Sequence, residues 1–317
     1  MRRLLLWACS AVLLLSLLTA PFGYWWMPAE LHPWRRALAP EMITQADAVF
    51  HQAGAQREDF NVRALDGVLL RGWIVRPTAP LAPNSTRDWV LLFHGVGDNR
   101  TGVMGQAEFL LRAGYGVVMM DSRAQGESDG AIATYGWKER DDVRAVVANL
   151  EEKVRVGCVF ELGVSMGASI ALQAAAVEPR VAGVVAESPF SDIREAAYDY
   201  AGFHYSPLLG RTFFRPAVEA GLYAAGRDGG ISISEVSPVH AVRNRNFPIL
   251  LIAAGLDTTL PLRHAQLIYD SATGPRQLWV VPNAAHASAF GTAQEEYQRR
   301  VLEFFSGIKP ARGGSND

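Results

Sequence analysis

The 317-residue sequence contains only two cysteines, Cys9 and Cys158. Two thiols cannot build a disulfide framework, and each lies in an apolar segment where we expect it to pack as a small apolar side chain. Cysteine usage therefore leaves the cellular compartment open. Hydrophobic residues make up 49% of the chain, so a sequence of this length can bury the full core of one α/β domain.

A block of basic residues is also missing. The formal net charge is -2, and the sequence has no long run of Lys or Arg. Without a basic patch there is no electrostatic footprint for nucleic acid, which excludes this class of partner. The sequence likewise has no closely spaced cluster of His, Cys, Asp and Glu and no glycine loop that would bind phosphates. We expect neither a metal nor another cofactor.

Charge is absent from residues 4–26, a leucine-rich stretch that follows Arg2 and Arg3 and ends in three aromatic residues. Its length can span a bilayer, with the arginines on the cytoplasmic side and the aromatic residues at the other interface. We predict a membrane anchor over residues 1–26 that places the rest of the chain outside the cytoplasm. A cleaved signal peptide is the alternative, although the bulky Leu18 makes the site before Pro21 a poor one.

The rest of the chain is predicted to form one domain. Residues 27–58 are expected to be a juxtamembrane connector with a short helix around residues 42–51, followed by the domain at 59–308 and a flexible tail at 309–317. Strands are predicted at residues 60–64, 68–75, 89–93, 117–120, 159–162, 181–186, 249–253 and 277–281. The first two flank Asp66-Gly67 as an antiparallel hairpin, and the others alternate with helical segments as in a doubly wound, mostly parallel α/β sheet.

This alternation stops between about residues 190 and 246, a stretch rich in aromatic residues. A structureless loop of this length is improbable inside a compact domain, so we predict an inserted helical cap. Its aromatic side chains either line an acyl pocket or simply pack the cap, and the sequence favours neither.

The pattern Gly-x-Ser-x-Gly occurs twice, around Ser165 and around Ser128. Ser165 directly follows a predicted strand and precedes an alanine-rich helical segment, which is the context of a nucleophile elbow. Ser128 lies several residues beyond its strand and is not followed by a helix. Context therefore predicts Ser165 as the nucleophile.

A serine nucleophile needs a base and a group that orients the base. His286 follows the last predicted strand and Asp257 follows the preceding one. Parallel strands end at one edge of the sheet, so Ser165, Asp257 and His286 can converge there, and their order is the one expected for this kind of fold. Glu187 also follows a strand and is held as a reserve for Asp257.

The negative oxygen that forms on attack needs preorganised donors. The turn after the first parallel strand, residues 94–99, contains the glycines that allow backbone amides to face a substrate. We predict the amides of Val96 and Met166 as the oxyanion hole, Met166 because it follows the nucleophile and opens a helix. His94 is expected to shape this turn rather than to act as the base.

Together these elements resemble the α/β-hydrolases of the serine-aminopeptidase and monoglyceride-lipase-like branch. The matching motifs are His94 to Arg100, Asp121 to Ser128, Gly163 to Gly167, Asp257 with Leu260-Pro261, and His286. The resemblance covers about residues 60–305 and implies the α/β-hydrolase fold, with the roles of Ser165, Asp257, His286, Val96 and Met166. Gln125 is a departure, because this branch often has a histidine at that position.

The sequence thus predicts a serine hydrolase that cleaves a carboxylic ester of a small-molecule or lipid-like acyl substrate through an acyl-enzyme. Peptidase, thioesterase and lysophospholipase activities use the same machinery and stay open. A non-catalytic, membrane-anchored binding protein with the hydrolase fold is the alternative from another class. Because the elbow has Ser165 where dehalogenases and epoxide hydrolases have an aspartate, those two reactions are not expected.

Overall fold

The computed structural model describes residues 2–83, 85–202 and 206–308, and the predicted tail at 309–317 lies outside them. Within the described residues the chain forms eight strands and thirteen α-helices. The strands are β1 (Ala55–Arg63), β2 (Leu69–Pro77), β3 (Arg87–Phe93), β4 (Gly116–Met120), β5 (Val156–Val164), β6 (Val181–Glu187), β7 (Ile249–Ala254) and β8 (Arg276–Val281). The helices are α1 (Arg2–Leu17), α2 (Ala20–Trp26), α3 (Pro40–Gln52), α4 (Met104–Arg112), α5 (Glu139–Lys153), α6 (Met166–Val177), α7 (Ile193–Ala201), α8 (Pro207–Arg211), α9 (Arg215–Gly229), α10 (Pro238–Asn244), α11 (Arg263–Ser271), α12 (Ala289–Thr292) and α13 (Gln294–Gly307).

All strands belong to one sheet in the order β1-β2-β4-β3-β5-β6-β7-β8. The hairpin β1-β2 is antiparallel and β2 pairs antiparallel with β4, whereas every other pair is parallel. The predicted fold class is therefore confirmed. The turn after β3 lies beside the end of β5, because Phe93 pairs with Gly163.

Two hydrophobic cores cover the two faces of the sheet, and β3 contributes alternate residues to each. Trp89, Leu91 and Phe93 pack with residues of α5, α6, α10 and α11 on one face. Val90 and Leu92 pack with residues of α3, α4 and α13 on the other. Burial on both faces explains why the strands are continuous apolar runs rather than alternating ones.

Four helices, α7 to α10, occupy the predicted cap between β6 and β7. They enclose a small core of their own, made of Leu31, Phe190, Ala196, Ala225, Ile231, Val236 and Leu260. Leu31 comes from the N-terminal part of the chain, so the cap core is completed by a segment far away in sequence.

Residues 27–58, predicted as a connector, are packed against the domain. A 3-10 turn at Met27–Leu31 places Leu31 in the cap, and α3 packs Phe50 edge to face on Trp73 of the sheet. β1 begins at Ala55, so the boundary predicted at residue 59 falls inside the first strand.

The apolar N-terminal segment is helical. The stretch Cys9–Leu31, 23 residues long, has the length and composition to cross a membrane, properties that a signal sequence shares. α1 is mostly exposed, whereas α2 packs along α9 of the cap. The two halves of the segment therefore have different surroundings.

Candidate active site

The turn between β5 and α6 is a sharp elbow with Ser165 at its tip. Ser165 has φ 56° and ψ -118°, a left-handed value that a non-glycine residue adopts only where the surroundings enforce it. The flanking glycines permit the turn. A Cβ on Gly163 would lie 2.2 Å from the Gly167 carbonyl oxygen, and a Cβ on Gly167 would lie 2.3 Å from that of Phe93. The elbow thus exposes the Ser165 hydroxyl at the end of the strand.

Ser165, His286 and Asp257 are connected by two short hydrogen bonds. The Ser165 Oγ lies 2.8 Å from Nε2 of His286, and Nδ1 of His286 lies 2.7 Å from Oδ2 of Asp257. A carboxylate can only accept, so Nδ1 carries the proton and Nε2 is free to accept from the serine hydroxyl. The three side chains come from the ends of β5, β8 and β7, and this tautomer suits Nε2 as a proton acceptor.

The Asp257 carboxylate is fixed on both oxygens. Its Oδ1 accepts from the backbone amides of Thr259 and Leu260 at 2.9 and 2.8 Å, which leaves Oδ2 for His286. Asp257 is 7% exposed, so these bonds replace the water that a surface aspartate would have.

Glu187, the reserve acid, is fully buried and its Oε1 accepts from the amide of Ala289 at 2.9 Å. Burial raises the pKa of its carboxyl above the ordinary value, and the Ala289 amide opposes this in part. Ala289 begins the short helix that follows the His286 turn. Glu187 therefore contacts the chain just after His286, whereas the His286 ring pairs with Asp257.

The predicted oxyanion donors, Val96 and Met166, both line a cavity together with Ser165. The turn that contains Val96 approaches the elbow closely, since a Cβ on Gly95 would lie 3.8 Å from the Cβ of Ser165. Gln125 joins the two donor segments. Its Oε1 accepts from the amide of Gly97 at 2.6 Å, and its Nε2 lies 3.7 Å from Sδ of Met166.

Sequence reasoning did not assign this bridging position to Gln125. The only signal was its departure from the family pattern, which has a histidine there in many members. The structure shows that the glutamine amide offers both an acceptor and a donor, which is what a bridge between the two segments requires.

His94 and Ser128 lie in buried hydrogen-bond networks beside the site. His94 accepts from the amide of Ser122 at Nε2, 3.1 Å away, and its Nδ1 lies 2.7 Å from the Gly95 carbonyl. Burial lowers the pKa of His94, which keeps the ring neutral. The Ser128 hydroxyl donates to the carbonyl of Asp121 at 2.7 Å and accepts from the Arg71 amide. Both side chains shape loops, as expected from their positions.

A cavity of about 920 Å³ opens beside Ser165. Its described lining is mostly apolar and comes mainly from the elbow, the turn after β3, the cap and the N-terminal segment, with Thr134, Tyr135 and Leu260 added from other loops. The sequence left open whether the aromatic residues of the cap line a pocket or pack the cap, and the structure shows examples of both. Tyr200 and Phe214 line the cavity, while Tyr198 lies in a cluster of cap residues. Among the described residues, no three His, Cys, Asp or Glu side chains lie close enough together to hold a metal ion.

Several proteins that this chain resembles are hydrolases by name. The model of the serine aminopeptidase S33 family matches residues 84–229. An esterase from Pyrococcus furiosus superposes with a TM-score of 0.68 at 24% identity, covering 88% of this chain and 98% of the esterase. The chain therefore has the α/β-hydrolase fold. Its match to the S33 family agrees with the branch that the sequence motifs resemble.

Relatives of this α/β-hydrolase are found in several bacteria. The protein YqkD of Bacillus subtilis is 27% identical over 232 residues, which is 72% of this chain and 74% of YqkD. A thermostable monoacylglycerol lipase from a Bacillus species is 24% identical over 232 residues, 68% of this chain and 90% of the lipase. An acylaminoacyl peptidase from Pyrococcus horikoshii shares the fold with a TM-score of 0.61 at 16% identity; the match covers 85% of this hydrolase and 44% of the peptidase.

Proposed function

We propose that this α/β-hydrolase is a serine esterase that cleaves carboxylic esters of apolar acyl groups. The observation that carries the proposal is the 2.8 Å contact between Ser165 and His286 at the edge of an apolar cavity. Such a cavity suits the hydrocarbon part of an ester, because Ser165 lies in its lining and can meet the ester carbonyl while apolar side chains hold the acyl chain.

The first half of the reaction acylates the enzyme. His286 takes the proton of Ser165 at Nε2 while Oγ bonds to the carbonyl carbon, and the C=O electron pair moves to the oxygen. Asp257 keeps the His286 ring in the required tautomer and stabilises the positive charge on it. The amides of Val96 and Met166 donate to the negative oxygen, Met166 with the added support of the α6 N-terminus. The bond to the leaving alcohol then breaks, and the alcohol takes the proton from Nε2.

The second half releases the acyl group. Water gives a proton to Nε2 of His286 and attacks the acyl carbonyl from the side that the alcohol has left. When the second tetrahedral intermediate collapses, Oγ of Ser165 leaves with the proton from Nε2. The products are a carboxylic acid and the free enzyme, so no cofactor is needed.

We also propose that the N-terminal segment stays attached and anchors the hydrolase with its catalytic domain outside the cytoplasm. Cleavage after Ala20 would cut α2 at its first residue and remove Leu18 and Thr19 from the cavity lining, which supports retention of the segment. The pair Arg2 and Arg3 favours a cytoplasmic N-terminus and so supports this orientation.

A second candidate is cleavage of an N-terminal amino acid, because Glu30 lines the cavity and could pair with an α-amino group. Glu30 is the only charged side chain among the described lining residues. Esters remain the better fit, since a charged amine would otherwise lie against apolar side chains that cannot solvate it.

The test compares esters and aminoacyl amides on the full chain in mild detergent. The proposal expects hydrolysis of p-nitrophenyl acyl esters by the wild-type protein, labelling by a fluorophosphonate probe, and loss of both in Ser165→Ala. Equal labelling or equal hydrolysis by the two proteins contradicts a serine esterase. Faster cleavage of aminoacyl amides than of esters, lost in Glu30→Gln, favours the peptidase.

A further inference from the structure

The N-terminal segment forms one side of the cavity beside Ser165. Lining residues recur every four positions, and they fall into two rows. Thr19, Gly23, Met27 and Leu31 make the first row, and Leu18, Phe22, Trp26 and Glu30 make the second. Residues four apart lie on the same side of a helix, so α2 and the turn after it present two adjacent rows to the cavity.

The first row is fixed against the cap. Gly23 packs on α9 so closely that a Cβ on it would lie 1.9 Å from the Ala217 carbonyl oxygen. On the other helix, a Cβ on Gly221 would lie 2.7 Å from the Gly23 carbonyl oxygen. Glycine at both positions lets the backbones meet, as small residues do in membrane helix pairs. The position of α2 is thus built into the domain and is not that of a flexible tether.

The second row is exposed although it lines the cavity. Leu18, Phe22 and Trp26 are 64%, 67% and 59% exposed, and the rings of Phe22 and Trp26 stack with centroids 5.8 Å apart. Large apolar side chains that line a cavity and still face outward mark its opening. The cavity therefore opens along the side of α2 through these apolar side chains, and the exposed Glu30 follows them four residues after Trp26.

The length of α1 places this opening near a membrane. Its 16 residues extend about 24 Å, less than the roughly 30 Å of a hydrocarbon core. If α1 enters the bilayer from the cytoplasmic side, α2 begins within the outer half of the hydrocarbon core and ends near the head groups, where tryptophan side chains such as Trp25 and Trp26 are favoured. The row Leu18, Phe22, Trp26 then meets the acyl chains of the outer leaflet.

We propose that the N-terminal residues that line the cavity are part of the acyl-binding site and that its ligand is the acyl chain of a membrane lipid ester, which enters from the bilayer between α2 and the cap. The inference rests on the proposed serine esterase function and deepens it. It makes the anchor a determinant of acyl specificity, so that Trp26 and Phe22 are specificity residues.

Trp25 and Trp26 provide a matched pair of variants. Both lie on α2 and both are exposed, Trp25 at 81%, but only Trp26 lines the cavity. The full-length protein in vesicles or mild detergent is assayed with a palmitoyl ester and an acetyl ester. Trp26→Ala is expected to lower kcat/KM for the palmitoyl ester roughly tenfold while that for the acetyl ester changes by less than about twofold. Trp25→Ala is expected to change neither.

A second variant changes the packing of α2 on α9 and leaves the side chains at the cavity opening unchanged. Gly23→Leu forces α2 away from α9, and we expect it to lower the ratio of palmitoyl to acetyl hydrolysis, with the acetyl ester reporting that the fold is intact. The inference is wrong if Trp26→Ala and Trp25→Ala give the wild-type ratio, or if both lower it equally.

A binding measurement separates this inference from the proposed function. The Ser165→Ala protein, which cannot turn over, is titrated with a fluorescent long-chain fatty acid. Binding that weakens in Ser165→Ala/Trp26→Ala and not in Ser165→Ala/Trp25→Ala supports the acyl site even if ester hydrolysis is absent. Equal binding by both double variants contradicts the acyl site even if Ser165 is the nucleophile.

Discussion

The Ser191 hydroxyl lies 2.8 Å from Nδ1 of His264, the same distance that separates Ser165 from His286. His264 in turn donates from Nε2 to Asp199 at 2.9 Å, so the molecule contains a second serine, histidine and aspartate in a row. Ser191 and His264 are both fully buried, and Nδ1 of His264 also accepts from the Ser191 amide. This second row connects the cap to α11, and no substrate can reach it.

The two serines therefore form a control pair. Ser165→Ala is expected to abolish fluorophosphonate labelling and ester hydrolysis, because it removes the attacking oxygen, and to leave the fold intact. Ser191→Ala is expected to keep both activities and to lower the free energy of unfolding by about 1 kcal/mol, the net value of one buried hydrogen bond. Labelling and unfolding curves of both variants check this. Loss of labelling in Ser191→Ala with normal stability would contradict it.

Acid should destabilise the fold through His264. Burial lowers the pKa of His264 below the ordinary 6.5, and the neighbouring Arg263 lowers it further against the opposing effect of Asp199. As the pH falls through about 6.5, the unfolded chain binds a proton that the folded protein does not bind, so stability decreases. The contribution of one such histidine is up to about 1.4 kcal/mol per pH unit.

His264→Gln removes this proton and should flatten the decrease. Urea unfolding in mild detergent, followed by tryptophan fluorescence between pH 5 and 7, measures the slope for each protein. His94 is also buried and its pKa is also lowered, so it too destabilises the fold as the pH falls. Part of the slope should therefore remain in His264→Gln. An unchanged slope in His264→Gln would mean that folding does not shift the pKa of His264 and would contradict the prediction.

Asp257 and Glu187 are two acids at neighbouring strand ends, and isosteric amides distinguish them. Asp257→Asn should lower kcat roughly 10⁴-fold, because an amide favours the wrong tautomer of His286. Glu187→Gln should lower kcat far less, because Glu187 accepts from the Ala289 amide and does not contact the His286 ring. Steady-state kinetics on a short ester decide the matter, and the reverse ranking would make Glu187 the orienting acid.

Gln125 is expected to position the oxyanion hole. Gln125→Ala leaves the Gly97 amide without its acceptor and frees the turn that contains Val96, so kcat should fall roughly tenfold with little change in KM. Gln125→His introduces the histidine that the family resemblance implies at this position and should recover part of the rate. A fall in stability with kcat unchanged would assign Gln125 a purely structural role.

The sequence predicted the sheet well because its signals are local. Each parallel strand is an apolar run of a few residues, and the elbow at Ser165 is specified by Gly163 and Gly167 within five positions. Convergence of Asp257 and His286 with Ser165 followed from a rule about parallel strand ends rather than from any contact.

Contacts between distant segments escaped prediction. The packing of Gly23 on Ala217 has no periodic signature, since a glycine in an apolar stretch also suits an anchor that touches only lipid. For the same reason Leu31 was assigned to a connector although it completes the cap core. The bridge made by Gln125 depends on two loops that meet only in the folded sheet.

The packing of the N-terminal segment on the cap also constrains the order in which the protein folds during its synthesis. The Ser16 hydroxyl donates to the Phe213 carbonyl at 2.5 Å across 197 residues of sequence. Because the chain is made from its N-terminus, the first helices must wait for α9 to be synthesised before they can dock. A nascent or truncated chain that ends before α9 has the elbow but no closed cavity, so the hydrolase gains its apolar pocket only late in biosynthesis.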